Sequence, residues 1–107
     1  MTYTSNIRDC VQLKLSCIIF DEKISDMIES LGKKVPDYLC NNLYDMDTFP
    51  LSGERFDTVL KGYKTGLPPV KVKKILGGKY MLIDGRHRIT AVIVSGGDSI
   101  PCEIVEV

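Results

Sequence analysis

Lys79-Tyr80-Met81-Leu82-Ile83-Asp84-Gly85-Arg86-His87-Arg88-Ile89-Thr90-Ala91-Val92-Ile93-Val94-Ser95 is the stretch on which the fold turns. Its first five residues read as a strand, and Asp84-Gly85 breaks it. The run from Arg86 to Ser95 carries two conflicting signals. Ile89, Val92 and Ile93 have helical spacing and Ala91 is small, yet Ile89 to Val94 is rich in β-branched residues, which favour strands. The flanks decide for helix, because a glycine turn precedes the run and Gly96-Gly97 follows it. A strand that ends in glycine and opens directly into a helix is therefore expected here.

Upstream, Val70 and Val72 alternate with Lys71 and Lys73, which reads as another strand. Lys74-Ile75-Leu76 breaks the alternation, as a bulge would. Gly77-Gly78 is a hairpin-turn signal, so Lys79 to Ile83 becomes the return strand. Before the hairpin, Ser52 is placed to cap a helix from about Gly53 to Tyr63, with Phe56, Val59, Leu60 and Tyr63 on its apolar face. Gly66 is expected to stop that helix, and Pro68-Pro69 forbid its continuation. Downstream, Ile100, Cys102 and Ile104 alternate with Pro101, Glu103 and Val105, giving a closing strand from Ile100 to Val107.

Towards the N-terminus, Val11, Leu13, Leu15, Cys17 and Ile19 alternate with Gln12, Lys14 and Ser16, which predicts one half-buried strand over Val11–Ile19. Ile24, Met27, Ile28 and Leu31 then form a helical stripe. Asp21 or Ser25 is placed to cap it and Gly32 to end it. Between Val35 and Pro50 a short helix with Pro36 at its first position and Tyr38, Leu39 and Leu43 within it, then a loop, is expected. No internal repeat or low-complexity stretch is present. The order of elements predicts an α+β (α/β) class, a small mixed sheet with flanking helices, in a single domain over residues 1–107.

Composition narrows the function classes. The 107 residues are 44% hydrophobic and 26% charged, ordinary values for a globular domain. No stretch approaches the roughly 20 apolar residues of a membrane span, and Met1 to Asp9 lacks the apolar core of a secretory signal. A reducing, intracellular and cytoplasmic location is expected. Cys10, Cys17, Cys40 and Cys102 are scattered and the chain has one histidine, so neither a zinc site nor disulfides are expected. Asp45 and Asp47 have no third ligand placed by sequence and read as solvated loop carboxylates.

Formal net charge is zero, which argues against a simple DNA-coating protein. The distribution is uneven. Met1 to Gly53 holds 5 Lys+Arg against 8 Asp+Glu, Glu54 to Thr90 holds 9 against 3, and Ala91 to Val107 holds 0 against 3. Lys71, Lys73, Lys74 and Lys79 fall on the hairpin and would suit a phosphate-tracking face, although a solvated surface looks the same in sequence.

The basic segment contains the Asp84-Gly85-Arg86-His87-Arg88 turn. The first turn of a helix leaves backbone N–H groups unpaired and carries the positive end of the dipole. Three potentially cationic side chains oppose that dipole, so local stability does not explain them. A bound anion would, shared between the N–H groups and the guanidinium forks. The structural alternative is that an arginine pairs with Asp84, Glu54 or Asp57 and that His87 is an ordinary hydrogen-bonded residue.

Leu67-Pro68-Pro69-Val70, then Tyr80 to Arg88, then Ala91, then Ile100-Pro101 and a final strand, resembles the ParB/sulfiredoxin superfamily in order and spacing. The resemblance is strongest over residues 55–107. It implies phosphate chemistry. Gly85 would be the backbone phosphate contact, Arg86 and His87 would flank the phosphates, and Arg88 would be the main phosphate-pairing side chain. Asp84 would orient Arg88 or hold a hydrated Mg²⁺. Sulfiredoxins carry a reactive cysteine in this turn. Arg86 stands at that position, so sulfiredoxin activity is not expected. ParB proteins bind CTP here and sulfiredoxins bind ATP, so ATP or CTP with Mg²⁺ is the cofactor the resemblance implies.

The expected function is therefore a domain that binds a nucleotide or a nucleic-acid backbone at the turn. Two alternatives stay open. One is a small-molecule phosphotransferase or NTPase, with kinase and nuclease relatives in view. The other is an inactive structural or partner-binding member. His87 and Asp84 are the candidate catalytic groups, while Glu54 and Asp57 are acidic candidates without a recognisable motif. The sequence leaves a homodimer open.

Overall fold

A computed structural model describes residues 10–46, 48–62, 66 and 68–105. Expectations that fall on residues 1–9, Asp47, Tyr63, Leu67, Glu106 and Val107 lie outside the described residues. In chain order the elements are β1 (Cys10–Lys14), β2 (Ile18–Asp21), α1 (Lys23–Ser30), α2 (Asp37–Cys40), β3 (Leu43–Tyr44), α3 (Gly53–Lys61), β4 (Val70–Lys74), β5 (Tyr80–Asp84), α4 (Arg86–Val94) and β6 (Ser99–Ile104). The strands form one sheet in the order β1-β6-β4-β5-β2-β3. β4 and β5 are the antiparallel hairpin, β6 runs parallel to β4, and β1 runs antiparallel to β6. β2 runs parallel to both β5 and β3. The sheet is mixed and helices flank it, as the sequence pattern predicts.

The contested run of β-branched residues is helical, and burial explains why. Ile89, Thr90, Ala91, Val92 and Ile93 of α4 are all buried, so the helix is apolar nearly all round rather than striped. α1 and α3 both pack against it. Thr90 Oγ1 donates to the Arg86 carbonyl at 2.7 Å, which satisfies its hydroxyl inside the packed layer. Phe20, Ile24, Ile28, Val70, Val72 and Ile100 complete the centre of the core.

The N-terminal alternation is not one strand. β1 ends at Lys14, a 3-10 turn takes Leu15–Cys17, and β2 begins at Ile18. β1 lies on one edge of the sheet and β2 lies towards the other. The Leu15 N–H donates to the Asp98 carbonyl at 2.9 Å, where the chain leaves the β6 edge. All four residues of β2 are buried, so a period of two carries no information there.

Other boundaries differ in smaller ways. Glu22 occupies the N-cap of α1 without a side-chain bond. Asp21 Oδ1 instead accepts the Lys23 N–H at 3.1 Å, and the Ser25 hydroxyl donates to the Glu22 carbonyl. Pro36 is the N-cap of α2 rather than its first helical residue. Leu43 belongs to β3, opposite Phe20, and not to the short helix. Ser52 caps α3 as expected, its Oγ accepting the Arg55 N–H at 3.2 Å, but the helix ends at Gly62 rather than Gly66. The register irregularity of the hairpin falls at Lys71/Val72. Residues 76–78 form a 3-10 turn in which Gly77 and Gly78 take φ of 81° and 75°.

Candidate functional site

β2 and β5 run parallel and end in Asp21 and Asp84, and α4 begins two residues after β5 ends. The carboxyl ends of parallel strands are where ligands bind in open α/β sheets. Gly85 makes the turn with φ 115° and ψ 29°. A Cβ there would lie 2.5 Å from Val70 Cγ1 and 2.8 Å from Val70 Cβ. Packing against buried Val70 thus already demands glycine, before any ligand is considered. The first intrahelical bond runs from the Ile89 N–H to the Gly85 carbonyl, 2.9 Å. No side chain caps the N–H groups ahead of it, and no acidic residue sits in the first turn.

The three cationic candidates have distinct partners. Arg86 Nη1 lies 3.2 Å from Asp21 Oδ2 and also donates to Thr48 Oγ1 at 3.2 Å and the Phe49 carbonyl at 2.7 Å. Asp21 is 2% exposed, and the Thr48 hydroxyl donates to it as well. Arg88 Nη1 donates to the Pro69 carbonyl at 2.7 Å and the Pro68 carbonyl at 3.3 Å, while its Nη2 pairs with Asp84 Oδ2 at 3.2 Å. Neither arginine pairs with Glu54 or Asp57. His87 Nε2 accepts the Ser52 backbone N–H at 2.9 Å. Burial first, then the Arg55 and Arg86 charges, hold its pKa below the ordinary histidine value.

These residues open on a cavity of about 360 Å³ lined by Arg55, Val59, Pro68, Ile83, Asp84, Gly85, Arg86, His87 and Arg88. All five residues of the Asp84–Arg88 turn are therefore brought together at one concave surface. Arg55 stands on the other wall, in the first turn of α3. Among the described residues no carboxylate lies within ion-pair distance of its guanidinium. Lys71, Lys73 and Lys74 are exposed on β4, and none of the four hairpin lysines lines the cavity. Lys79 Nζ donates to the Ser16 carbonyl and to Asn42 Oδ1, each at 3.2 Å.

Among the described residues no group of three or more His, Cys, Asp or Glu side chains is placed to hold a metal ion. Asp84 is the carboxylate at the cavity, and it is shared with Arg88. The described cysteines are free, and only Cys102 is buried; burial pushes its thiol up to about 11. No helix of the described residues is long and apolar enough to cross a membrane.

Sequence reasoning missed Arg55, Asp21 and Ser52 as parts of this region. Arg55 carried a usable signal, since it is a cation in the first turn of a capped helix, the same anomaly that marked Arg86–Arg88. Glu54 beside it masked the anomaly. Asp21 and Ser52 were read as helix caps, and nothing local announces their partners across the site.

The fold is ParB/sulfiredoxin-like, a six-stranded mixed sheet with α1 and α3 packed against α4. Three solved structures share it. SbnI with a C-terminal truncation, from Staphylococcus aureus, matches with a TM-score of 0.60 and 16% identity over 97% of this chain and 33% of that one. C-terminally truncated ParB from Caulobacter crescentus, complexed with CTP-γ-S, matches with a TM-score of 0.57 and 15% identity over 92% of this chain and 44% of that one. Sulfiredoxin from Arabidopsis thaliana matches with a TM-score of 0.55 and 18% identity over 92% and 85%. The chain thus spans about a third of the SbnI structure. No protein-family model and no curated protein sequence matches the chain.

Proposed function

We propose that this domain binds the phosphates of a nucleotide, ATP or CTP with Mg²⁺, in the cavity between α3 and the first turn of α4. The observation that carries the proposal is convergence. The uncapped start of α4, the paired arginines Arg86 and Arg88, and Arg55, which has no ion-pair partner among the described residues, all line one concave site. Helix N–H groups and guanidinium donors are the usual phosphate ligands. Val59, Pro68 and Ile83 add an apolar share of the lining, which suits a ligand with a base or sugar attached. The CTP-γ-S complex of a ParB with the same fold supports the same chemistry.

Binding is favoured over catalysis because His87 is a poor general base in this arrangement. Its Nε2 lone pair already accepts the Ser52 N–H, and the other ring nitrogen of a neutral imidazole carries the proton. A nucleotide is favoured over a nucleic-acid backbone because the hairpin lysines lie outside the cavity.

A thermal-shift titration with ATP, CTP and GTP, each with Mg²⁺, on wild type and Arg55→Glu tests this. A ligand at 100 times its dissociation constant stabilises the folded state by about 2.7 kcal/mol, a shift of roughly 10 °C for a domain of this size. A shift in the wild type that Arg55→Glu abolishes is the expected result. No shift with any nucleotide, or the same shift in both proteins, overturns it. Product formation in the same mixture would move the assignment to a phosphotransferase or NTPase.

A further inference from the structure

We infer that His87 is a positioning residue: as a neutral imidazole it accepts the Ser52 N–H and so fixes the start of α3, with Arg55, against the first turn of α4. This rests on the anion site proposed above and goes further, because it assigns the protonation state that can bind.

A backbone N–H can only donate. Nε2, 2.9 Å from the Ser52 nitrogen, must offer a lone pair, so the proton of the neutral ring sits on Nδ1. Ser52 is also the N-cap of α3, and its Oγ accepts the Arg55 N–H at 3.2 Å. One residue therefore ties the imidazole on the α4 wall to the backbone of the guanidinium-bearing residue on the α3 wall. The charged groups that line the cavity with the ring are Arg55 from α3, Arg86 and Arg88 from α4, and Asp84 from the end of β5. Arg55 and Arg86 repel a second proton, while Arg88 and Asp84 pair with each other. Burial of the ring, and after it the Arg55 and Arg86 charges, hold its pKa below the ordinary histidine value. A second proton would set Nε2–H against the Ser52 N–H, donor facing donor, and release the first turn of α3.

The pH dependence distinguishes this role from direct ligation. An imidazolium that met an anion itself would bind it more tightly on acidification. A neutral positioning imidazole gives the opposite sign, because protonating His87 detaches Arg55's helix from the site.

The chain has a single histidine, so ¹⁵N-edited NMR reads its ring nitrogens without ambiguity in the ligand-free protein. The expected neutral form carries its proton on Nδ1, and the Ser52 and Arg55 amide signals shift with the same midpoint as the ring. A proton on Nε2 near neutral pH, or a Ser52 amide indifferent to the ring's titration, overturns the inference. A second arm measures tripolyphosphate affinity from about pH 8 to about pH 4.5, a range that extends well below the ordinary histidine pKa of about 6.5 because the ring titrates lower, for wild type and His87→Gln. The ratio of the two removes the ligand's own titration. Glutamine offers Ser52 an acceptor that does not titrate, so the wild type should lose affinity several-fold relative to the variant on acidification. A relative gain overturns the inference. Absence of tripolyphosphate binding by both proteins refutes the anion site instead and leaves the NMR result to decide the role of His87.

Discussion

The two walls of the cavity carry positive charge in different ways. On the α4 wall both arginines are engaged inside the protein: Arg86 with Asp21, Thr48 and Phe49, and Arg88 with Asp84 and the Pro68 and Pro69 carbonyls. On the α3 wall Arg55 is exposed, with no carboxylate within ion-pair distance of it among the described residues. The difference teaches that a basic motif can be held in architecture. The two arginines clamp three separate segments onto the start of α4. Among the described residues, the cavity arginine without an ion-pair partner lies on another helix, and it is the one the proposed binding would use.

The comparison breaks if the turn proves dispensable to the fold, and Gly85→Ala is the severest test. Alanine must adopt φ near 115° and its Cβ must displace Val70. Backbone strain of about 1–3 kcal/mol and overpacking of about 1–3 kcal/mol together give a loss of about 2–6 kcal/mol. The urea midpoint measures it. In a Val70→Ala background, which carries its own truncation cost, Gly85→Ala should cost only the strain share, since φ is unchanged; no further loss there would remove the strain from the account.

Asp21→Ala comes next. Asp21 accepts from Lys23 N–H, Thr48 and Arg86, and hydrogen bonds to charged groups contribute about 1.5–3 kcal/mol. Arg86 is 26% exposed, so water replaces part of what it loses. A loss of about 2–3 kcal/mol in chemical denaturation is expected. A loss under about 0.5 kcal/mol would mean that Thr48 and the Phe49 carbonyl suffice to hold Arg86 and that the α4 wall is less locked than its geometry implies.

The α4 wall was also the more legible one in sequence. The hairpin, the Gly85 turn and the helix after it announce themselves because their determinants are local: Gly77-Gly78, Asp84-Gly85 and Gly96-Gly97 bound the run. What the arginines do there was not legible. Arg86 meets Asp21 from 65 residues away and His87 meets Ser52 from 35, and neither separation leaves a periodic trace. The same limit split Val11–Ile19 into two strands, because only the Leu15–Asp98 contact and the sheet order decide where the chain leaves one edge for the other. Arg55 is the instructive miss, a first-turn cation whose signal was present but offset by Glu54.

Arg55 sharpens the comparison from the other wall. It is exposed, so Arg55→Ala should change stability by no more than about 0.5 kcal/mol. If it meets phosphate directly, the lost charge-assisted bonds are worth about 1.5–3 kcal/mol, or roughly 10- to 100-fold in nucleotide affinity by calorimetry. Equal losses from Arg55→Ala and from an α4-wall arginine of unchanged stability would erase the distinction between the walls.

The smallest effect is expected at Asp84, and its sign is informative. Its carboxylate is 65% exposed and pairs with Arg88 four residues on, a helix-type pair worth about 0.3–0.5 kcal/mol. Asp84→Asn should therefore cost at most about 0.5 kcal/mol, with Arg88 still braced by the Pro68 and Pro69 carbonyls. In Mg²⁺-free buffer the variant should bind tripolyphosphate more tightly, by a few-fold, because it removes a negative charge from the cavity and leaves Arg88 unneutralised. If Asp84 instead helps to hold a hydrated Mg²⁺ against the phosphates, the variant should bind more weakly than wild type once Mg²⁺ is added, and only then. Weaker binding in both buffers would mean that Asp84 acts through Arg88, orienting it for the ligand, and would return the α4 wall to the centre of recognition.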